Sequence, residues 1–299
     1  MSGLLLEVRQ RHGGSIYANG TRWVGPGPNH SRRDRSLSVA VINGRVLIHS
    51  FTGDALAECE KHLGVAVGAG RSETPAEAAK RRADAARERQ AREAEDRRFC
   101  VGVWDGTQPI EGTPAEAYLW SRGHILETSD VRFHPAAPRC KPRPEPEPPR
   151  LPAMVARVRA PTGEPKALHV TYLTTGGCKA LGSSSRLIFG PSSGAAVRLA
   201  PMTSEGVLGV GEGIETSSAY ATLHGVPCWA SLSTAGLQNF TPPDGVKRLV
   251  VAVDSDDGGA GMKAALILGD RISRRCAVEV HAAPEGKDWD DVYGGVRHG

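Results

Sequence analysis

Absences set the first limits. No apolar run approaches the ~20 residues that a membrane-spanning helix needs. The opening MSGLLLEVRQRHGG holds too short an apolar stretch for a signal peptide, so no membrane partner and a cytoplasmic location are expected. Cysteine amounts to six scattered residues, at 59, 100, 140, 178, 228 and 276, with no C-x-x-C among them. That scatter suits thiols in a reducing compartment better than a disulfide frame. No G-x-x-x-x-G-K-[ST] occurs, which excludes a P-loop in this chain; GVGEG lacks the third glycine of a dinucleotide fingerprint and puts Glu212 where a pyrophosphate would lie. The Ser-rich GSSS lacks the G-x-S-x-G of a nucleophile elbow. An EF-hand loop starting at Asp254 would need an acid where the chain has Ala265. Excess charge is also missing: the formal net charge is +4, so the placement of the basic residues matters more than their sum.

What is present falls into four parts. Residues 1–70 alternate Gly/Pro turns with the β-like runs LSVAVI and RVLIHSF, then the helical DALAECEKHLG, which predicts a small α+β unit. Residues 71–98 are rich in strong helix formers with interleaved acids and bases, after a Thr74 cap with Pro75 beside it; they predict a solvated linker helix. Residues 99–200 hold a helical TPAEAYLWSRG, a Pro-rich PRCKPRPEPEPPR that can be neither helix nor central strand, and the β-like MVARVRA, ALHVTYLT and RLIFG. Residues 201–299 alternate strand and helix patterns from GVLGVGEG to AVEVHAAP, which argues for a parallel sheet flanked by helices. The expected fold class is α/β.

The chemistry gathers at strand ends in that last part. LVVAV is apolar on both faces, as a central parallel strand should be, and open α/β sheets place their sites beyond the carboxyl ends of strands. Asp254 and Asp256 follow it. If the strand stays extended through Asp256, both carboxylates point to one side, where a divalent cation would relieve their repulsion. Oxygen-only ligands suit hard ions, so Mg2+ or Mn2+ is expected; the competing reading is a pair of turn and helix-cap acids. VLGVGEG is a second apolar strand ending in an acid, Glu212, between Gly211 and Gly213, which would allow close approach of backbone or ligand. After the final strand, PEGKDWDDV supplies Asp288, Asp290 and Asp291.

The ordered set Glu212-Gly213, Asp254-Ser-Asp256-Asp-Gly-Gly259 and Gly286-Lys287-Asp288 resembles the Toprim domain shared by bacterial-type DNA primases, type IA and II topoisomerases and some nucleases. The resemblance covers about the last hundred residues. It implies Glu212 as acid/base residue or metal ligand, Asp254 and Asp256 as metal holders and Asp288 as support for the metal site. Upstream, GTPAEAYLWSRG followed by VRFHP is similar to the start of a primase polymerase core, and residues 154–190 to its basic subdomain. Lys166, Lys179, Arg186 and Lys287 are then the expected nucleotide or nucleic-acid contacts, with Arg157, Arg159 and Arg198 after them; such cations grip phosphate without reading sequence. The N-terminal unit resembles a primase zinc ribbon that has lost its thiolates: Gly27 and residues 49–52 stand where Cys would be expected. His30, His49, Cys59 and His62 are the N/S ligands left, so zinc is not expected, and Arg32, Arg33 and Arg35 would meet template without metal. The implied function is a phage- or plasmid-type DNA primase making RNA primers on single-stranded DNA from NTPs, with any helicase a separate protein. Two alternatives stand beside it: a Toprim metal-dependent nuclease, and a non-catalytic single-strand-binding or helicase-recruiting module.

Overall fold

The structure is a computed structural model that describes residues 3–42, 44–66, 75–142, 146, 148–180, 182, 185–255 and 258–298. The chain divides into two compact units, Met1–Glu88 and Arg89–Gly299.

In the first unit, α1 (Gly3–His12) precedes an antiparallel sheet in the order β1 (Ser15–Tyr17), β2 (Arg22–Gly25), β3 (Leu37–Ile42), β4 (Arg45–Ser50), followed by α2 (Leu56–Leu63). The predicted runs LSVAVI and RVLIHSF are β3 and β4; α1 is an addition to the sequence reading. It is held by Leu5 and Val8, three apart on one face, which join Trp23, Leu37, Val39, Val46, Cys59 and Leu63 in one core. The Trp23 ring needs glycine around it. A Cβ on Gly14 or Gly25 would lie 2.7 or 2.2 Å from the indole, and its Nε1 donates to the Gly13 carbonyl at 2.8 Å.

The charged stretch lies in α3 (Pro75–Asp105), which runs past Arg98. Phe99, Cys100, Val103 and Trp104 form an apolar stripe that packs against Ala153, Val155, Leu168, Val170 and Tyr172, so tertiary packing extends the helix beyond its solvated part. α4 (Pro114–Ser121) starts at an N-cap: Thr113 Oγ1 accepts from the Ala115 amide at 3.3 Å, and Glu116 reaches back to accept from the Gly112 amide at 2.8 Å.

One mixed sheet organises the second unit. Its path runs β13 (Ala277–Ala282), β12 (Arg248–Val253), β10 (Val207–Gly211), β11 (Cys228–Ala230), β9 (Ala196–Val197), β6 (Leu151–Arg159), β7 (Pro165–Tyr172), β8 (Arg186–Phe189), with β5 (Val131–Ala137) also on β6. The first four strands pair in parallel, as the alternating pattern predicts. β9 then pairs antiparallel with β11 through Val197 and Ala230, so residues on both sides of position 200 share one sheet. Helices α5 (Ile214–His224), α6 (Thr234–Asn239), α7 (Ala260–Ile272) and α8 (Trp289–His298) belong to the parallel half. β12 is apolar on both faces because both are covered. Leu249, Val251 and Val253 pack with Ala264, Leu268 and Ile272 of α7, while Val250 and Ala252 pack with Tyr220 and Trp289. Each fully buried Val, Leu or Ile there contributes about 1.5 to 3 kcal/mol.

Candidate functional site

The carboxyl ends of β10 and β12 open on one cavity of about 210 Å3. Glu212 follows β10 directly, half-buried, and its Oε2 accepts from Thr234 Oγ1 at 3.0 Å. Its carbonyl accepts from the amide of Leu232 at 2.7 Å, and Leu232 is held at φ 74°, a left-handed conformation costly for a branched side chain. Strained backbone therefore sits against the first acid. The glycines flanking Glu212 differ in purpose. A Cβ on Gly211 would come within 2.7 Å of Ser217 Oγ, so that glycine lets α5 close on β10, whereas Gly213 has ordinary space and φ −95° as the N-cap of α5.

Asp254 follows β12 and also lines the cavity. Its Oδ2 accepts from Thr216 Oγ1 at 3.2 Å and its Oδ1 from the Trp289 amide at 3.2 Å. β12 ends at Val253, so the extended strand does not continue through the acid pair; Asp256 lies outside the described residues. Gly258 and Gly259 adopt φ 67° and 91°, which only glycine takes without cost, and turn the chain into α7. The 284–288 loop is strapped to this strand end, with the Ser255 amide donating to the Lys287 carbonyl at 2.9 Å and the Gly286 amide to the Ser255 carbonyl at 3.2 Å. That brings Asp288 to the same cavity, where its Oδ1 also accepts from the Asp291 amide at 2.7 Å in the first turn of α8. Asp288 is thus both a cavity acid and a helix cap.

Cations from the preceding segment form the facing wall. Arg122, Lys179 and Arg186 line the cavity together with Glu215 and Asp290. Glu215, 6% exposed, accepts from Arg186 Nη2 at 2.7 Å and from the Tyr118 hydroxyl, and lies 3.7 Å from Lys179 Nζ. Burial alone would raise its pKa; Arg186, Tyr118 and Lys179 outweigh that and hold the carboxyl at about 2. The Tyr118 hydroxyl is pushed up by burial and by Glu215. Asp290 takes two bonds from Arg122, at 2.5 and 3.1 Å, and one from His124 Nε2 at 2.8 Å. Burial raises the Asp290 pKa, but His124 and Arg122 bring it below the usual carboxylate range.

The predicted residues thus separate into groups. Glu212, Asp254, Asp288, Lys179 and Arg186 share one cavity. Lys166 is not with them. On β7 it shares a face with Leu168, Val170 and Tyr172 and lines a separate hollow with Arg157 and Trp104, whereas Arg186 pairs across the ladder with Thr171, on the other face. Period-two alternation makes the difference, and the odd–even position of Lys166 already carried the signal. Lys287 is exposed beside Asp288 and contributes its main chain to the strap. Arg159 is committed elsewhere, donating twice to buried Asp130 at 2.5 and 2.6 Å; Arg198 donates to the Ala160 and Pro161 carbonyls and stacks on Trp229. Sequence reasoning missed Tyr118, Arg122 and Glu215, and named Asp290 only as one of the acids after the final strand. Tyr118 and Arg122 are four apart on α4 and its cap, a helical spacing that puts both on one face; Glu215 and Asp290 lie in first turns of helices, where acids are common anyway.

The carboxylates suit a hard divalent cation by chemistry, since all the donors on that wall are oxygens. Glu212, Asp254 and Asp288 would hold it. Among the described residues no three His, Cys, Asp or Glu side chains are already drawn into one ligand cluster. In the first unit, the four N/S groups do not converge. His30 is engaged by Asp34 at 2.5 Å and Asp54 at 3.5 Å, His49 packs on Phe51, Cys59 is in the core, and His62 packs at a tilt against His12 and reaches the Pro26 carbonyl at 3.2 Å. Arg32, Arg33 and Arg35 are exposed, with Arg35 folded back on the Arg33 and Asp34 carbonyls.

Residues 207–296 match the Toprim domain, and residues 94–199 match a domain of unknown function, DUF7146. The strand-end acids Glu212, Asp254 and Asp288 lie in the part that carries the Toprim match. Among solved structures it is similar to a DNA primase domain from Pseudomonas aeruginosa (16% identity over 67% of this chain and 73% of that one, TM-score 0.44). It is also similar to the RNA polymerase domain of Mycobacterium tuberculosis primase DnaG (16% identity, 70% and 82%, TM-score 0.41) and to a DnaG primase catalytic domain bound to single-stranded DNA (16%, 71% and 78%, TM-score 0.44). No curated protein matches it. No helix among the described residues is long and apolar enough to cross a membrane.

Proposed function

We propose that this chain is a metal-dependent nucleotidyltransferase of primase type, joining NTPs on a single-stranded DNA template. One observation carries the reading: a single cavity has a carboxylate wall from three successive strand ends, Glu212, Asp254 and Asp288, and a cationic wall of Arg122, Lys179 and Arg186. With all eight ionisable lining groups charged, three cations against five carboxylates leave −2, a balance that favours a divalent cation. Nucleotidyl transfer needs both walls, because negative charge builds on the phosphoryl oxygens while a hydroxyl loses its proton.

Mg2+ or Mn2+ would supply Lewis-acid stabilisation of that charge. Glu212, kept in place by Thr234, is positioned to take the proton of the attacking 3′ hydroxyl. Asp254 is fixed by Thr216 and the Trp289 amide as an acceptor of constant orientation. Lys179 and Arg186 meet the phosphates of the incoming nucleotide and of the leaving pyrophosphate.

The test is incubation with single-stranded DNA, labelled NTPs and Mg2+ or Mn2+. Short new RNA is the expected product. Shortened DNA with no RNA would assign a nuclease instead, and DNA retention with neither product a binding module.

A further inference from the structure

Glu215 stands outside the strand-end acid pattern, yet it is the most enclosed carboxylate of the cavity. It sits in the first turn of α5, where the helix dipole favours negative charge. Its bonds run to Arg186 on β8, to Lys179 in the loop before β8, and to Tyr118 on α4. Lys179 also lies over the Tyr118 ring, 5.7 Å from its centroid. One carboxylate thus restrains two long cationic side chains, and both stay partly open: the Arg186 side chain is 43% exposed and that of Lys179 30%. Two cations share this one anion, and each keeps an open side that a ligand can reach. Each of these side chains carries roughly 2 kcal/mol of rotamer entropy, and holding them beforehand removes part of that cost from phosphate binding.

We propose that Glu215 is a positioning residue that fixes Lys179 and Arg186 as a two-cation cradle for the polyphosphate of the incoming nucleotide; the inference rests on the nucleotidyl-transfer reading. The surroundings of Lys179 give it a distinctive signature. Burial lowers its pKa, Arg186 and Arg122 push the same way, and Glu215 with Asp290 opposes them. α5, β8, α4 with its cap, and α8 present those four charges and the Tyr118 ring to it, and β7 adds the buried His169, whose imidazole burial holds at about 4, so that it stays neutral across the range tested. Removing the Glu215 charge takes away the largest support for the ammonium form, while Arg in place of Lys179 does not titrate in the same range.

The experiment measures binding of inorganic tripolyphosphate to the full chain in EDTA, from pH 7 to pH 9.5, by calorimetry, for wild type, Glu215→Gln and Glu215→Gln/Lys179→Arg. Glu215→Gln should lose affinity with rising pH more steeply than wild type, because Lys179 loses the charge that most favours its ammonium form. The double variant should keep only the dependence that the last ionisation of tripolyphosphate imposes on all three proteins. In the priming assay Glu215→Gln should raise the KM for NTP more than it lowers kcat. If wild type binds tripolyphosphate and makes primers, but the Glu215→Gln profile superimposes on it, the proposal is overturned and the functional reading stands. If wild type neither binds tripolyphosphate nor makes primers, the functional reading falls and the proposal with it. Should Glu215→Gln fail to fold, Glu215→Asp keeps the charge and withdraws it by one methylene: binding weakened at least threefold supports the proposal, and unchanged binding overturns it.

Discussion

Asp130→Asn should separate a structural arginine cluster from a template-binding one. Asp130 is 4% exposed and follows the loop that leads into β5. Arg159 donates to both of its oxygens, and Arg157 Nη1 stands 3.9 Å away. Neutralising the acid leaves two guanidiniums, 21% and 23% exposed, without their anion. Breaking a buried pair by removing one partner costs about 3 to 5 kcal/mol, and the partial exposure of the arginines puts this case at the lower end, about 3 kcal/mol. For a unit of this size that is a fall in Tm of roughly 6–12 °C. Calorimetry on the full chain should show it in one transition, and Asp130→Leu/Arg159→Met, which removes both charges at similar volume, should recover most of it. Affinity for single-stranded DNA should stay unchanged in both variants. Unchanged Tm together with tighter, more salt-dependent DNA binding by Asp130→Asn would show that the acid restrains template contacts and that the structural reading of Arg159 is wrong.

Asp254→Asn should abolish metal-dependent transfer without lowering Tm, because the amide keeps the bond to Thr216 and relief of acid repulsion offsets the loss at the Trp289 amide; loss of fold with activity retained would mark it as a structural acid. Arg186→Ala should lower Tm, since it leaves the buried Glu215 carboxylate with only Tyr118 and the more distant Lys179, and should flatten the log–log salt dependence of single-strand binding by roughly 0.7; adding Glu215→Gln should restore Tm but not the slope. In the first unit, the His30 pKa is raised by its bond to Asp34, and those of Asp34 and Asp54 are lowered by His30 and by Ser50 respectively. The histidine contribution is complete below its ordinary 6.5 and lost as pH rises through the raised value; the aspartate contribution is complete above 3.8 and lost as pH falls through the lowered ones. His30→Ala should therefore destabilise this unit more at pH 5.5 than at pH 8.5, while a zinc chelator leaves its unfolding unchanged; equal destabilisation at both pH values would refute the ionic account. The Cys228 thiol, raised by burial to about 12, should resist alkylation at pH 8 while exposed Cys178 reacts.

Local pattern settled much of this protein. Alternation of apolar strand and helix between Val207 and Ala282 reads directly as a parallel sheet, because a strand covered on both faces must be apolar on both, and the acids at its ends stand where such sheets leave their sites open. Glu212, Asp254 and Asp288 were legible for that reason, and the Gly258-Gly259 turn because left-handed backbone selects glycine. Long-range pairing decided the rest. A basic residue in a sequence carries no mark of the anion it will meet, so Arg159, committed to Asp130, and Arg186, facing the cavity, look alike until β6, β7 and β8 take their register. Glu215 meets Tyr118 from 97 positions away, and Asp290 meets Arg122 from 168. Such contacts exist because one sheet carries residues from both sides of position 200, and the pairing of Val197 with Ala230 that joins its halves follows from packing, which no local periodicity records.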